Sequence, residues 1–262
     1  MDIAMSAFFE FGNTLPTDYA ALLWNVFFVQ RERGLTLHDH FPALTGSRSR
    51  RWFATTRDGG QLCAGLTVLE HSTPDGNRIA RVGLVCVPAN QRGRGFSQQL
   101  LRLALDALDG LGVTTATLWT GKPNLYQTLG FCIEDTASVC KVCALPAGPA
   151  TAFEAHRWPD LCSQRGLPAY AWYAQRLRNP RAEALFVFDS IGAALAEWQG
   201  DDLAVVELLA ACAPQRWRLH ALDGDRLPAT LADAGAVVRT QSQSLQMWRG
   251  PLRAPMRLLD RI

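Results

Sequence analysis

A short stretch in the first half of the chain constrains the fold more than any other. An apolar run, residues 82–87, stops at Pro88, a polar loop carrying Arg92, Gly93, Arg94 and Gly95 follows, and a helical pattern opens near Ser97. The order is strand, loop, helix. At a helix start the first backbone N–H groups have no intrahelical partner and the macrodipole adds partial positive charge, so such a turn attracts anions. Gly93 and Gly95 let a ligand approach the backbone with no Cβ in the way, and Arg92 and Arg94 add full positive charge. The predicted guest is a pyrophosphate. Neither the nucleotide P-loop nor the Gly-x-Gly-x-x-Gly dinucleotide fingerprint is present: no Lys follows the glycines, and Gln98 stands where the third glycine belongs.

The loop reads Arg92-x-x-Gly95-x-Ser97. This resembles the acetyl-CoA pyrophosphate loop of the GNAT acyltransferase superfamily, Gln/Arg-x-x-Gly-x-Gly/Ala between a strand and a helix. Ser97 departs from the last position but remains small. A second stretch follows a predicted strand at residues 115–120: Lys122-Pro-Asn-Leu-Tyr-Gln-Thr-Leu-Gly-Phe131. It resembles the superfamily's second signature, an Asn two residues before a Tyr and then a short helix ending in Leu-Gly-Phe. The resemblance implies an α/β (α+β) chain with the GNAT fold, a mixed central sheet flanked by helices.

The rest of the first half fits this frame. A short strand is expected within residues 8–15, then a helix with Thr17 as N-cap, Asp18 in its first turn and an apolar face of Leu22, Leu23, Val26 and Phe27, ended by Gly34. Residues 51–56 and 61–71 flank Arg57-Asp-Gly-Gly60 as a hairpin. The helix from Ser97 places Leu101, Ala104, Leu105, Leu108 and Leu111 on one stripe, and residues 113–120 return as a parallel strand through a right-handed crossover. Residues 138–145 read as a final strand, and the Pro/Gly-rich residues 146–150 as a linker. The expected division is therefore a catalytic, acyl-CoA-binding GNAT domain over 1–146 and a second domain over 151–262. In the second, strands are expected at 184–189, 193–199, 202–208, 216–222 and 244–248, with helices ending at Cys212 and Ala234. That order resembles a GNAT domain again, but with no Arg/Gly loop, so it reads as a degenerate GNAT-like domain without a pyrophosphate site.

Composition limits the remaining classes. A formal net charge of +2 gives no nucleic-acid surface, and no segment approaches the ~18 uninterrupted apolar residues of a membrane span. No signal peptide is evident, and seven scattered cysteines suit reduced thiols, so a cytoplasmic location is expected. Cys140-Lys-Val-Cys143 lacks a partner pair, and His38-Asp39-His40 reads as a solvated turn; no metal is expected.

By the resemblance, the reaction is transfer of an acetyl group from acetyl-CoA, as cosubstrate, to the amine of a small molecule. A protein or peptide amine, or a non-catalytic CoA-binding regulatory module, are the alternatives. A homodimer is compatible with the sequence. The backbone of Gly93, Arg94, Gly95, Phe96, Ser97 and Gln98, with the Arg92 and Arg94 side chains, would take the pyrophosphate. The strand edge at Val85, Cys86 and Val87 would pair with the pantetheine amides, and an N–H near Val85 would meet the oxyanion. Tyr126 matches the superfamily's acid, with a core aromatic role as the alternative. Asn124 would bond the pantetheine arm, cap the following helix, or both. For a base, Glu70 and His71 are the nearest titratable pair; an exposed strand end, with water moving the proton, is the alternative. The Cys86 side chain is expected to turn into the core.

Overall fold

The computed structural model describes residues 8–27, 36–37, 41, 44, 50–148, 152–157, 167, 170–241 and 245–262. Its elements begin β1 (Phe8–Gly12), α1 (Thr17–Phe27), β2 (Arg51–Asp58), β3 (Gln61–Ser72), β4 (Arg78–Cys86), a 3-10 turn (Ala89–Gln91), α2 (Phe96–Gly110), β5 (Thr115–Trp119), α3 (Asn124–Gln127) and β6 (Cys132–Ile133). They continue with β7 (Ala137–Cys143), β8 (Glu154–Arg157), β9 (Tyr173–Arg178), β10 (Glu183–Asp189), β11 (Gly192–Gln199), α4 (Asp202–Cys212), β12 (Arg216–Leu222), α5 (Leu227–Asp233), β13 (Val237–Gln241) and β14 (Gln246–Arg249), and a last 3-10 turn at Leu258–Asp260. The end of the first helix at Gly34 and the His38-Asp39-His40 stretch lie outside the described residues.

The chain divides into two units, the first comprising Met1–Glu134, Leu245–Ala254 and Arg261–Ile262, the second Asp135–Ser244 and Pro255–Asp260. Among the described residues the first unit holds one sheet in the order β1-β2-β3-β4-β5-β14-β6. Gly59 and Gly60, both at positive φ, close the β2–β3 hairpin as the Asp-Gly-Gly sequence requires. β4 runs parallel to β5 through the α2 crossover. The buried stripe of α2 is Phe96, Leu100, Leu101, Ala104, Leu105 and Leu108, packed on Leu66, Val68 and Val82 of the sheet. Leu111 is not on it: it is 43% exposed, one residue beyond the helix.

The expected boundary at 146–151 does not coincide with this division. Residues 138–145 were expected to finish the first sheet, but β7 pairs with β12 and β13 in the second unit. The first sheet takes its late strand from β14, antiparallel to both β5 and β6. The second unit's sheet is ordered β13-β7-β12-β11-β10-β9-β8, with β11 parallel to β12. Residues 202–208, expected as a strand, belong to helix α4. Asp201 caps that helix, its carboxylate accepting from the Ala204 N–H at 3.0 Å, and Ala204, Val205, Leu208 and Leu209 recur on the buried side at helical spacing. Cys140 and Cys143 are free thiols in β7; three residues apart on a strand they face opposite sides, which disqualifies them as a shared metal pair. No group that could hold a metal is found among the described residues. No described helix is long and apolar enough to cross a membrane.

Candidate active site

The site starts from an irregularity in β4. Gly65 pairs with Cys86 and Thr67 with Gly83, so Leu84 and Val85 stand opposite the single residue Leu66. Two residues against one is a β-bulge, which kinks a strand and frees it locally from the ladder. Leu84 sits at φ +51°, a left-handed conformation that costs a branched side chain free energy. On the other edge, β4 pairs with β5 only through Ile79–Thr115, Ala80–Ala116 and Arg81–Thr117, yet β4 continues to Cys86. From Val82 onward its edge therefore has no β5 neighbour, which leaves main-chain groups for an extended ligand to pair with. Gly83 lies in this stretch, and a Cβ there would stand 2.2 Å from the Ile262 carbonyl oxygen, so residues 261–262 lie directly against it.

Beyond the strand the chain turns through Ala89–Gln91 into the loop. Gly93 and Gly95 both adopt φ +78°, and a Cβ on either would point into open space, where a ligand can pass. Gly95 is the N-cap of α2 and no side chain caps this helix start, so its first N–H groups have no side-chain acceptor. The two arginines differ. Arg92 is exposed and anchors its Nε on the Val87 carbonyl at 3.3 Å, at the edge of the cavity described next. Arg94 donates to Gln91 Oε1 and stacks its guanidinium 4.9 Å from the Phe96 ring centre. Phe96 itself is a core residue, 1% exposed, so only its backbone belongs to the loop surface.

A cavity of about 300 Å³ joins these parts within the first unit, lined by Val85, Cys86, Val87, Arg92, Ser97 and Gln98 and also by Lys122, Leu125 and Tyr126 of the second motif. Tyr126 lies edge-on to Phe131, 6.2 Å between ring centres. Burial pushes its hydroxyl above the ordinary tyrosine range against a hydrogen bond with Thr120, so it is a protonated donor at neutral pH. The contact with Phe131 is the core packing foreseen as the alternative for Tyr126. The Cys86 thiol is buried and pushed up to about 12 by that burial, so it stays protonated.

Glu70 and His71 are not brought to this cavity. Glu70 pairs with Ala80 in the register, six positions from Cys86, or about 20 Å along a strand at ~3.3 Å per residue. Its carboxylate accepts from Arg78 Nε and Nη2 at 2.8 and 2.7 Å and from Trp52 Nε1 at 2.5 Å. Burial is the largest influence and pushes its pKa up, but the Arg78 and Trp52 hydrogen bonds together hold it below the usual glutamate range. A carboxylate so engaged is an ion-pair partner, which corrects its expected role as base. His71 shares that strand end. Asn124 is the exposed first residue of α3, with Pro123 in the cap position, and is not part of the cavity lining. Sequence reasoning passed over Lys122, which opens the second motif, and the bulge, although Gly65 and Gly83 inside strands are the usual sign of one.

The second unit repeats the parallel crossover β11–α4–β12 but not the site. Where α2 begins on an uncapped glycine, α4 begins on Asp201, whose carboxylate occupies the Ala204 amide and brings the charge that repels phosphate.

Residues 17–133 match the family model described as "Acetyltransferase (GNAT) domain". Among solved structures, the chain is similar to a GCN5-related N-acetyltransferase from Anabaena variabilis, with 14% identity, TM-score 0.61, and coverage of 92% of this chain and 72% of the other. It is similar to Eis1 from Mycobacterium abscessus, at 15% identity, TM-score 0.55, and coverage of 92% and 73%. It is also similar to a tandem GNAT protein from the clavulanic acid biosynthesis pathway, at 14% identity and TM-score 0.53, over 95% of this chain and 100% of that one. At these identities the likeness concerns the fold. A search of curated proteins finds no match.

Proposed function

We propose, from the match of residues 17–133 to the GNAT acetyltransferase domain, that this chain transfers an acyl group from coenzyme A to an amine, with acetyl-CoA as donor and a small molecule as acceptor. One observation carries the reading: residues of the ladder-free end of β4, of the start of α2 and of the second motif, Tyr126 among them, line a single cavity. The residues present fit coenzyme A. The uncapped turn at Gly95, with Gly93 and Arg92, suits the pyrophosphate, and Lys122 adds a second cation to the cavity lining. The end of β4 at Val85 and Cys86, which has no β5 partner, with Val87 beyond it, suits the pantetheine amides, as an added strand would pair.

In this reading the bound donor supplies a thioester. The protein presents the Val85 N–H to the carbonyl oxygen, where negative charge develops as the amine attacks, and Tyr126 gives its proton to the departing thiolate. The acidic start of α4 supports a non-binding role for the second unit.

Calorimetric titration with acetyl-CoA tests this, followed by a thiol-release assay over a panel of small amines. Micromolar binding and thiol release with at least one amine are expected. Arg92→Ala should weaken acetyl-CoA about tenfold, as loss of one exposed charge-assisted contact gives, and leave S-acetylpantetheine, which lacks the pyrophosphate, unchanged. Failure of the wild-type protein to bind any acyl-CoA refutes the reading.

A further inference from the structure

Tyr19, on α1, is fully buried although it carries a hydroxyl, and that hydroxyl is spent on the bulge. It donates to the Leu84 carbonyl at 2.9 Å and shares a hydrogen bond with Thr67 Oγ1 at 3.0 Å. Thr67 is itself fully buried and sits on β3 opposite Gly83. The ring lies over Gly65, where an added Cβ would stand 2.2 Å from Tyr19 Cδ2, so β3 has given up a side chain to admit it. Burial and the neighbouring Cys86 push the hydroxyl far above the ordinary tyrosine range, so it stays a donor at all relevant pH. A planar trans peptide sets its C=O and N–H antiparallel. Holding the Leu84 oxygen on the Tyr19 side therefore turns the Val85 N–H to the opposite side, and Val85 lines the cavity. Leu84 keeps its left-handed φ of +51° only where something fixes it, and strain of this kind gathers where geometry serves a function.

We propose that Tyr19 is a positioning residue for acyl transfer: by bonding the Leu84 carbonyl it fixes the Leu84–Val85 peptide so that the Val85 N–H faces the thioester carbonyl of the donor. The inference rests on the acyltransferase reading and deepens it. It distinguishes the acyl group from the rest of the donor, since an N–H aimed at a carbonyl is of no use to free coenzyme A.

The test uses the full chain as wild type, Tyr19→Phe and Thr67→Val. Tyr19→Phe keeps the ring that fills the space over Gly65 and removes only the hydroxyl. Thr67→Val removes a buried hydroxyl bonded to the same group but leaves the Leu84 bond, so it controls for a merely structural loss. Three quantities are read: the 13C shift of the carbonyl in bound [1-13C]acetyl-CoA, the Kd values of acetyl-CoA and free CoA, and kcat with the best amine. In wild type the carbonyl signal is expected to move downfield on binding. Tyr19→Phe should return it more than halfway to the free value, weaken acetyl-CoA about fivefold, as loss of one hydrogen bond gives, keep CoA within about twofold, and lower kcat about 100-fold, as loss of an oxyanion donor does. Thr67→Val should keep the shift and most of kcat. An unchanged shift and kcat in Tyr19→Phe overturns the inference, and so do equal losses in Thr67→Val, while binding by wild type leaves the acyltransferase reading standing. If wild type binds no acetyl-CoA, that reading falls and the inference with it.

Discussion

Replacing Glu70 by Gln separates a structural carboxylate from a catalytic one. The Glu70 side chain is 1% exposed and Arg78 27% exposed, and the carboxylate accepts three hydrogen bonds, two from that guanidinium. Gln keeps one acceptor oxygen, but its NH₂ group meets a guanidinium N–H, so one charge-assisted bond, about 1.5–3 kcal/mol, becomes a donor facing a donor. Because Arg78 is partly solvated, the net loss is set at about 2 kcal/mol. For a unit of this size that is a fall of roughly 4–8 °C in Tm. The pH dependence has a definite sign. The folded pKa of Glu70 lies below its unfolded value, so its contribution is complete above the usual glutamate range and is lost as pH falls through the folded value. The melting curves of wild type and variant should therefore differ at neutral pH and converge in acid. Thermal unfolding by circular dichroism from pH 3 to 8, with kcat measured on the same preparations, is the assay. Unchanged kcat is expected. A variant that melts like wild type but has lost turnover would show that Glu70 is the base and that the register argument fails.

Tyr126→Phe should lower kcat about 100-fold, the usual worth of a positioned acid, with the Kd of acetyl-CoA kept; equal turnover in the two proteins would remove the proposed proton donor. Asp201→Ala should destabilise the second unit by about 1 kcal/mol through loss of the α4 cap and leave the acetyl-CoA titration unchanged, read by denaturant unfolding and calorimetry. Gly83→Ala sets a Cβ against the Ile262 main chain and should cost about 1–3 kcal/mol, seen as a lower midpoint in urea; no change would mean that residues 261–262 do not lie against β4.

What the sequence showed plainly was local. The Asp-Gly-Gly turn, the loop from Arg92 to Ser97 and the crossover to β5 each carry their signal within a few residues, and each is where it was expected. What it hid was either non-local or undecided by period. α4 reads Asp-Leu-Ala-Val-Val-Glu-Leu-Leu-Ala-Ala-Cys, apolar on nearly every side, so period separates helix from strand poorly, and only the Asp201 cap decides. β14 has four residues and β6 two, too short to show alternation, and nothing near residue 247 reveals that Leu118 is its neighbour. The Glu70–Arg78 pair crosses a hairpin whose register had to be known first. At the site, the loop was legible because glycine and arginine are unusual there. The bulge was not, because its supports, Gly65 and Tyr19, lie far apart in the chain and become partners only when folded.

The late strand has a consequence for how this protein is made. β14 pairs with both β5 and β6, and it brings three side chains no more than 1% exposed: Gln246, Met247 and Trp248. Gln246 Nε2 donates to Thr117 Oγ1, which donates to the Met247 carbonyl. A ribosome that has released residue 134 has therefore delivered both motifs of the proposed donor site, but not the strand that closes its sheet. The nascent first unit must wait, with the β5 edge open, through more than a hundred further residues. During that wait an unpaired strand is exposed to chaperones and to other chains. A gene cut after the second motif encodes an unfinished sheet rather than a minimal enzyme.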